Sequence, residues 1–310
     1  MDQKTQKIGL SELLYPVTQA DFFNSYWPEQ ALFIPPAENK LINIFDLEQL
    51  QNLENLVLAR VLKVRACLPD FDDEYSSIHL DPKDAIKAYD NNMTLVFDSM
   101  QSQCSLIADV LKNITADLSL VFGQSDNNLC QARSIAYATP AWCGTRLHFD
   151  ANANFIIQIR GTKKWTLVKN TSVHYPTERF TTGSFEMSEA LENQCHDQLL
   201  DSVPDEGATE YTMTPGSVLF VPRGMWHETT TDEDSLSLNF TFSQPTWADV
   251  FSKSIHNVLL KSTEWRKLPQ GSHLTESEKM LQLFQNLVKD LTAEDLLNQS
   301  GYLPRNPNQE

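Results

Sequence analysis

The sequence predicts a mainly β protein with α additions: an antiparallel sandwich or barrel core, a mixed helical segment before it and helices after it. Two observations carry this. From about residue 130 the apolar pattern becomes a series of short runs separated by turn residues, from "ARSIAYATP" to "LSLNFTFS". On either side of that stretch, apolar residues recur at helical spacing instead. The segments this implies are 1–125 (mixed, packing on the core), 126–245 (the β core) and 246–310 (helical).

In the first segment, "SELLYPV" and "TQADFFNSYWPEQALFIPP" are short and amphipathic. Thr18 is placed to cap a helix whose one face carries Phe22, Phe23 and Trp27. "DLEQLQNLENLVLARVLKVRACL" reads as a helix running into a strand, "DPKDAIKAYDNN" as a short helix, "MTLVFD" as a β run and "SQCSLIADVLKNITADLSLVF" as a longer helix. The core strands are then expected at "TRLHFD", "NFIIQIRG", "KKWTLV", "YTMTPGSVLFVPRG", "WHETTT" and "LSLNFTFS". Residues 169–211 are weakly patterned, and a connection that long inside a compact domain usually has a function. "WADVFSKSIHNVLLKSTEW" and "ESEKMLQLFQNLVKDLTAEDLLNQ" supply the closing helices.

Composition narrows the function classes. Lys plus Arg is 24 and Asp plus Glu is 41, a net charge of −17. That balance argues against a nucleic-acid partner, because phosphate contacts need cations. No apolar run is long enough for a membrane span, and the start lacks a secretion signal, so a cytoplasmic protein is expected. Cys67, Cys104, Cys130, Cys143 and Cys195 are dispersed, which suits free thiols in a reducing compartment.

The chemistry concentrates in "GTRLHFDANANFIIQIRGTKKW". In a strand, residues two apart share a face, so His148 and Asp150 point the same way. Polar groups beside a segment as apolar as "NFIIQI" need a partner. His227, in "PGSVLFVPRGMWHET", opens another strand after a Pro/Gly turn. Two histidines and a carboxylate form the facial set that binds non-haem Fe(II) and leaves coordination positions open. His79, His174, His196, His256 and His273 have no such partner spacing.

Together, "TRLHFDANANFIIQIRGTKKWTLV" and "TPGSVLFVPRGMWHE" resemble the jumonji-C (JmjC) branch of the cupin-fold, 2-oxoglutarate-dependent Fe(II) oxygenases. The likeness is to its hydroxylases, of both the asparaginyl-hydroxylase and ribosomal-oxygenase types. It is close over about 130–245 and looser over 10–125. The resemblance implies a double-stranded β-helix (jelly roll) with His148, Asp150 and His227 as iron ligands. It implies that Lys163, fifteen residues past His148, pairs with the distal carboxylate of 2-oxoglutarate and that Thr145 hydrogen-bonds the same group. Asn154 and Asn239 match amides near the cosubstrate's metal-binding end. From its own position, Tyr137 is expected to line the pocket, and Lys164 to face solvent.

The activity this implies uses O2, decarboxylates 2-oxoglutarate to succinate and hydroxylates an amino-acid side chain of a protein or peptide. Free amino acids or small metabolites are the alternative substrates, and a non-catalytic metal-binding cupin is a third reading. Asp150 stands where many JmjC histone demethylases have Glu, which favours hydroxylation. The residues after Pro245 give room for a helical segment rather than for a helical segment plus a winged helix. With the net charge, this tells against a ribosomal target. Apolar stripes in those last helices either pack on the helices of the first segment or pair with a second subunit, and a homodimer is the favoured reading. The stretch 169–211, with the acidic "DSVPDEGATE", is expected to border the iron site and to favour a peptide with basic residues.

Overall fold

The computed structural model describes residues 7–38, 40–68, 77–121, 131–183, 187–195, 207–269 and 274–300. Cys130, His196, His273 and part of "DSVPDEGATE" lie outside them. Contacts group the chain into two compact units, one of Met1–Thr115 with Ala132–Ser243 and one of Ala116–Gln131 with Gln244–Glu310.

The strands in chain order are β1 (Leu32–Ile34), β2 (Val64–Cys67), β3 (Ser77–Leu80), β4 (Leu95–Phe97), β5 (Gln131–Thr139), β6 (Gly144–Phe149) and β7 (Ala153–Arg160). They continue with β8 (Lys163–Val168), β9 (Phe180–Thr181), β10 (Thr209–Met213), β11 (Val218–Val221), β12 (Trp226–Thr230) and β13 (Ser235–Ser243). The larger sheet runs β1-β11-β7-β13-β5-β4-β2-β3 and the smaller one β10-β8-β12-β6-β9. The pairings of β7 with β11 and β13, and of β12 with β6 and β8, are antiparallel, as in a double-stranded β-helix.

Alternation along each strand decides what fills the space between the sheets. On β13, Leu236, Leu238, Phe240 and Phe242 share one face, and Ser235, Ser237, Asn239 and Thr241 share the other. The apolar face packs outward, where Phe242 meets Phe155 at 5.8 Å between ring centroids. Phe22, from the helix over Gln19–Ser25, closes the same aromatic cluster at 5.0 Å from Phe220. That helix begins where the sequence expects it, with the Thr18 hydroxyl accepting from the Asp21 amide at 3.1 Å. Inside, Ile156, Leu219 and Val221 of the larger sheet meet Trp165, Leu167 and Met213 of the smaller one and seal part of the interior. The back of the smaller sheet offers Phe149, Val168 and Trp226. The weakly patterned segment covers it with Val173 and Leu191.

The helices are α1 (Leu10–Leu14), α2 (Gln19–Ser25), α3 (Ile42–Phe45), α4 (Leu53–Leu58), α5 (Pro82–Tyr89), α6 (Ser105–Val121), α7 (Glu189–Glu192), α8 (Trp247–Leu259), α9 (Leu274–Lys289) and α10 (Ala293–Ser300). The single helix expected from "DLEQLQNLENLVLARV" is instead a short 3-10 turn followed by α4. Asn52 caps α4 by accepting from the Asn55 amide at 2.7 Å, and that cap starts a new helix. Strands β1 and β3, which the sequence reading passed over, lie at the two edges of the larger sheet.

Candidate metal and cosubstrate site

Strands β6 and β12 pair so that His148 stands directly opposite His227. Their rings are 4.1 Å apart between centroids and both are buried. Each Nδ1 meets the carbonyl two residues earlier on its own strand, Arg146 O at 2.7 Å and Met225 O at 2.9 Å. A carbonyl can only accept, so Nδ1 carries the proton and Nε2 carries the lone pair in both rings. Asp150 follows β6, with Oδ2 3.8 Å from His227 Nε2. One ligand atom from each of the three residues lies within 4.8 Å of the others. Two imidazole nitrogens and one carboxylate oxygen, fixed by their own backbones, fit a divalent first-row metal.

A cavity of about 500 Å3 opens over this triad and is lined also by Tyr137, Thr145, Asn154, Lys163 and Asn239. Lys163 is 4% exposed and its Nζ donates to the Thr139 hydroxyl at 2.9 Å. Its neighbour Lys164 faces the other way, toward Asp232 at 3.7 Å on the exposed side of the strand. The hydroxyls of Thr145 and Thr229 are 2.8 Å apart across the β6–β12 pair. Asn154 is committed to the triad itself: its amide donates to Asp150 Oδ2 at 2.9 Å, and its carbonyl accepts from Thr241 at 2.8 Å. Asn239 Oδ1 and Trp165 Nε1 are buried at the cavity wall and have no hydrogen-bond partner among the described residues. A buried polar atom left unsatisfied costs about 1–3 kcal/mol, so both suit a site that receives a polar guest.

Several residues that line the cavity, and Thr139 beside Lys163, were not read as functional from the sequence. Thr139, Thr229, Ser237 and Thr241 were legible in principle, because each lies two residues from, or directly across the sheet from, a residue that was. Trp165 also lines the cavity. Its indole stacks on His227 at 5.7 Å and 22°, which holds the imidazole plane. Arg179 carries no sequence signal. It stands just before β9, whose Thr181 pairs with His148, and its Nη1 is 3.6 Å from Asp150 Oδ1.

A double-stranded β-helix with a His/Asp/His set and a buried lysine in one cavity defines a class, the cupin-fold oxygenases that use iron and 2-oxoglutarate. Residues 115–250 match the family model for the JmjC domain. It is 28% identical to YxbC of Bacillus subtilis (strain 168), covering 91% of this chain and 86% of that protein. It is 22% identical to the bifunctional lysine-specific demethylase and histidyl-hydroxylase NO66 of Dictyostelium discoideum, covering 97% of this chain but 56% of that one. The share of NO66 from Drosophila persimilis that it spans is 20%. The fold is that of the Escherichia coli ribosomal oxygenase YcfD, with a TM-score of 0.53, 16% identity, and 90% and 68% of the two chains covered. YcfD has also been solved with cobalt and 2-oxoglutarate, and that structure aligns with a TM-score of 0.51 at 17% identity.

Proposed function

We propose that this chain hydroxylates an amino-acid side chain of a protein or peptide, coupled to conversion of 2-oxoglutarate to succinate. The observation that carries the reading is the single cavity holding both the His148/Asp150/His227 set and buried Lys163. A dicarboxylate needs a cation inside an apolar barrel, and a buried lysine is stabilised in its charged form by an arriving anion. Bound Fe(II) supplies O2 activation coupled to decarboxylation of the cosubstrate. The chain's own residues do the rest. Asn154 orients the Asp150 carboxylate. Trp165 fixes the plane of His227. Lys163, held by Thr139, and Thr145 from the same cavity lining bind the distal carboxylate, Asn239 serves the metal-proximal end, and Tyr137 lines the approach. The apolar cluster around Ile156 and Leu219 keeps water from that end of the barrel.

A protein target is supported by the names of the relatives, a histidyl-hydroxylase and a ribosomal oxygenase. The decisive experiment is a succinate-release assay with Fe(II) and 2-oxoglutarate against a peptide library and a panel of free amino acids. Oxygen gained by a peptide is the expected result. Oxidation confined to free amino acids would replace this reading with the small-metabolite one.

No helix among the described residues is long and apolar enough to cross a membrane. We propose that the protein is cytoplasmic, since five cysteines dispersed as Cys67, Cys104, Cys130, Cys143 and Cys195 suit a reducing compartment. The helices after Pro245 form the surface through which we expect it to dimerise.

A further inference from the structure

The charge of the cavity is the inverse of the charge of the chain. Overall, 41 acidic residues outweigh 24 basic ones. Yet the lining brings Arg65, Arg133, Lys163 and Arg179 together with only Asp98 and Asp150. Asp98 is held by Arg65 through two contacts, at 3.0 and 3.1 Å. Asp150 belongs to the metal set, and Lys163 to the cosubstrate. Arg133 and Arg179 remain as cations that the reaction itself does not use.

Their placement brackets the site. On β5, Arg133, Ile135, Tyr137 and Thr139 alternate onto one face, and Thr139 is the residue that meets Lys163. At about 3.3 Å per residue, Arg133 lies roughly 20 Å along the strand from the cosubstrate end. Between them Ile135 joins Val96 and Cys67 in an apolar patch. Arg179 sits beside the triad, its side chain only 10% exposed. Its Nη1 comes within 3.6 Å of Asp150 Oδ1, at ion-pair distance. A guanidinium in a low-dielectric cavity favours an anion, and it matches a carboxylate in geometry as well as charge.

We propose that the mouth of this cavity is a carboxylate-recognition subsite, in which Arg133 and Arg179 select a substrate bearing Asp or Glu beside the side chain to be hydroxylated. The inference rests on the protein-substrate reading above. It reverses the expectation of a basic peptide, which leaned on an acidic rim whose residues 201–206 lie outside the described chain.

The test uses three peptide pools sharing the same acceptor residues, flanked by Asp/Glu, by Asn/Gln or by Lys/Arg. Oxygen gain is followed by mass. Affinity of fluorescent versions is followed by anisotropy, on protein loaded with Mn(II) and 2-oxoglutarate without O2. The acidic pool is expected to bind about tenfold more tightly than the isosteric amide pool at low salt, with the gap closing as salt rises. Arg133→Gln narrows that preference, and Arg133→Glu transfers it to the basic pool. Equal affinities for the acidic and amide pools, or a wild-type preference for the basic one, overturn the proposal. If no pool gains oxygen while 2-oxoglutarate is still converted to succinate, the protein-substrate reading fails by itself. The anisotropy comparison then decides the charge inference on the same criterion.

Discussion

Adjacent lysines separate the site from its surroundings most sharply. Lys163 is buried against Thr139, while Lys164 is 44% exposed beside Asp232. Loss of a buried ion-pair partner costs about 3–5 kcal/mol, several hundredfold or more in affinity, whereas an exposed pair is worth about 0–1 kcal/mol. Lys163→Ala is therefore expected to raise the 2-oxoglutarate KM by at least several hundredfold, and Lys164→Ala to leave it nearly unchanged. Steady-state succinate release measures both, and equal effects would show the wrong lysine facing the cosubstrate. His148→Ala and Asp150→Ala are expected to abolish tight Co(II) binding, seen in the visible spectrum and by calorimetry. Far-ultraviolet circular dichroism should stay at the wild-type value, because neither side chain belongs to an apolar cluster.

At the scale of elements, the β6–β12 pair decides whether the two histidines meet. Gly144 pairs with Thr230, and a Cβ built there would lie 1.9 Å from the Thr229 carbonyl oxygen, so only glycine permits the close approach. Gly144→Ala is expected to force the strands apart, lowering both Tm and Co(II) affinity. An unchanged Tm would mean that the pair tolerates the shift. On the opposite sheet, Phe240 is fully buried on the outward face of β13. Phe240→Ala is expected to cost about 3–5 kcal/mol in urea unfolding, the usual range for emptying an aromatic core position. The alternation of "LSLNFTFS" was readable in the sequence, because a period of two is a property of neighbouring residues. The cover provided by Val173 and Leu191 was not. In a segment without periodicity, a buried residue is recognised only by what it lands on.

At the scale of the whole molecule, apolar residues remain at the surface of the C-terminal helices. Trp247 and Phe251 on α8 are 65% and 42% exposed, and Leu281 and Val288 on α9 are 54% and 41% exposed. Exposed apolar surface of this density is typical of a protein–protein contact. Light scattering at micromolar concentration is expected to give about twice the 35.3 kDa chain mass. Phe251→Asp with Leu281→Asp is expected to halve it. A wild-type mass of a single chain would rule the dimer out.

The sequence by itself determined the strand pattern of the core, the shared face of His148 and Asp150, the candidacy of His227, and that Lys163 and Lys164 turn to opposite faces. All of these follow from local spacing, since the backbone period fixes the face on which each side chain emerges. Only the tertiary structure decided that His227 stands opposite His148, that Asn154 serves the Asp150 carboxylate, that Thr139 receives Lys163, and that Arg179 reaches the triad from an unpatterned segment. Those contacts join residues on different strands and loops. Their distances are set by how two twisted sheets close over one interior, which no local spacing along the chain encodes.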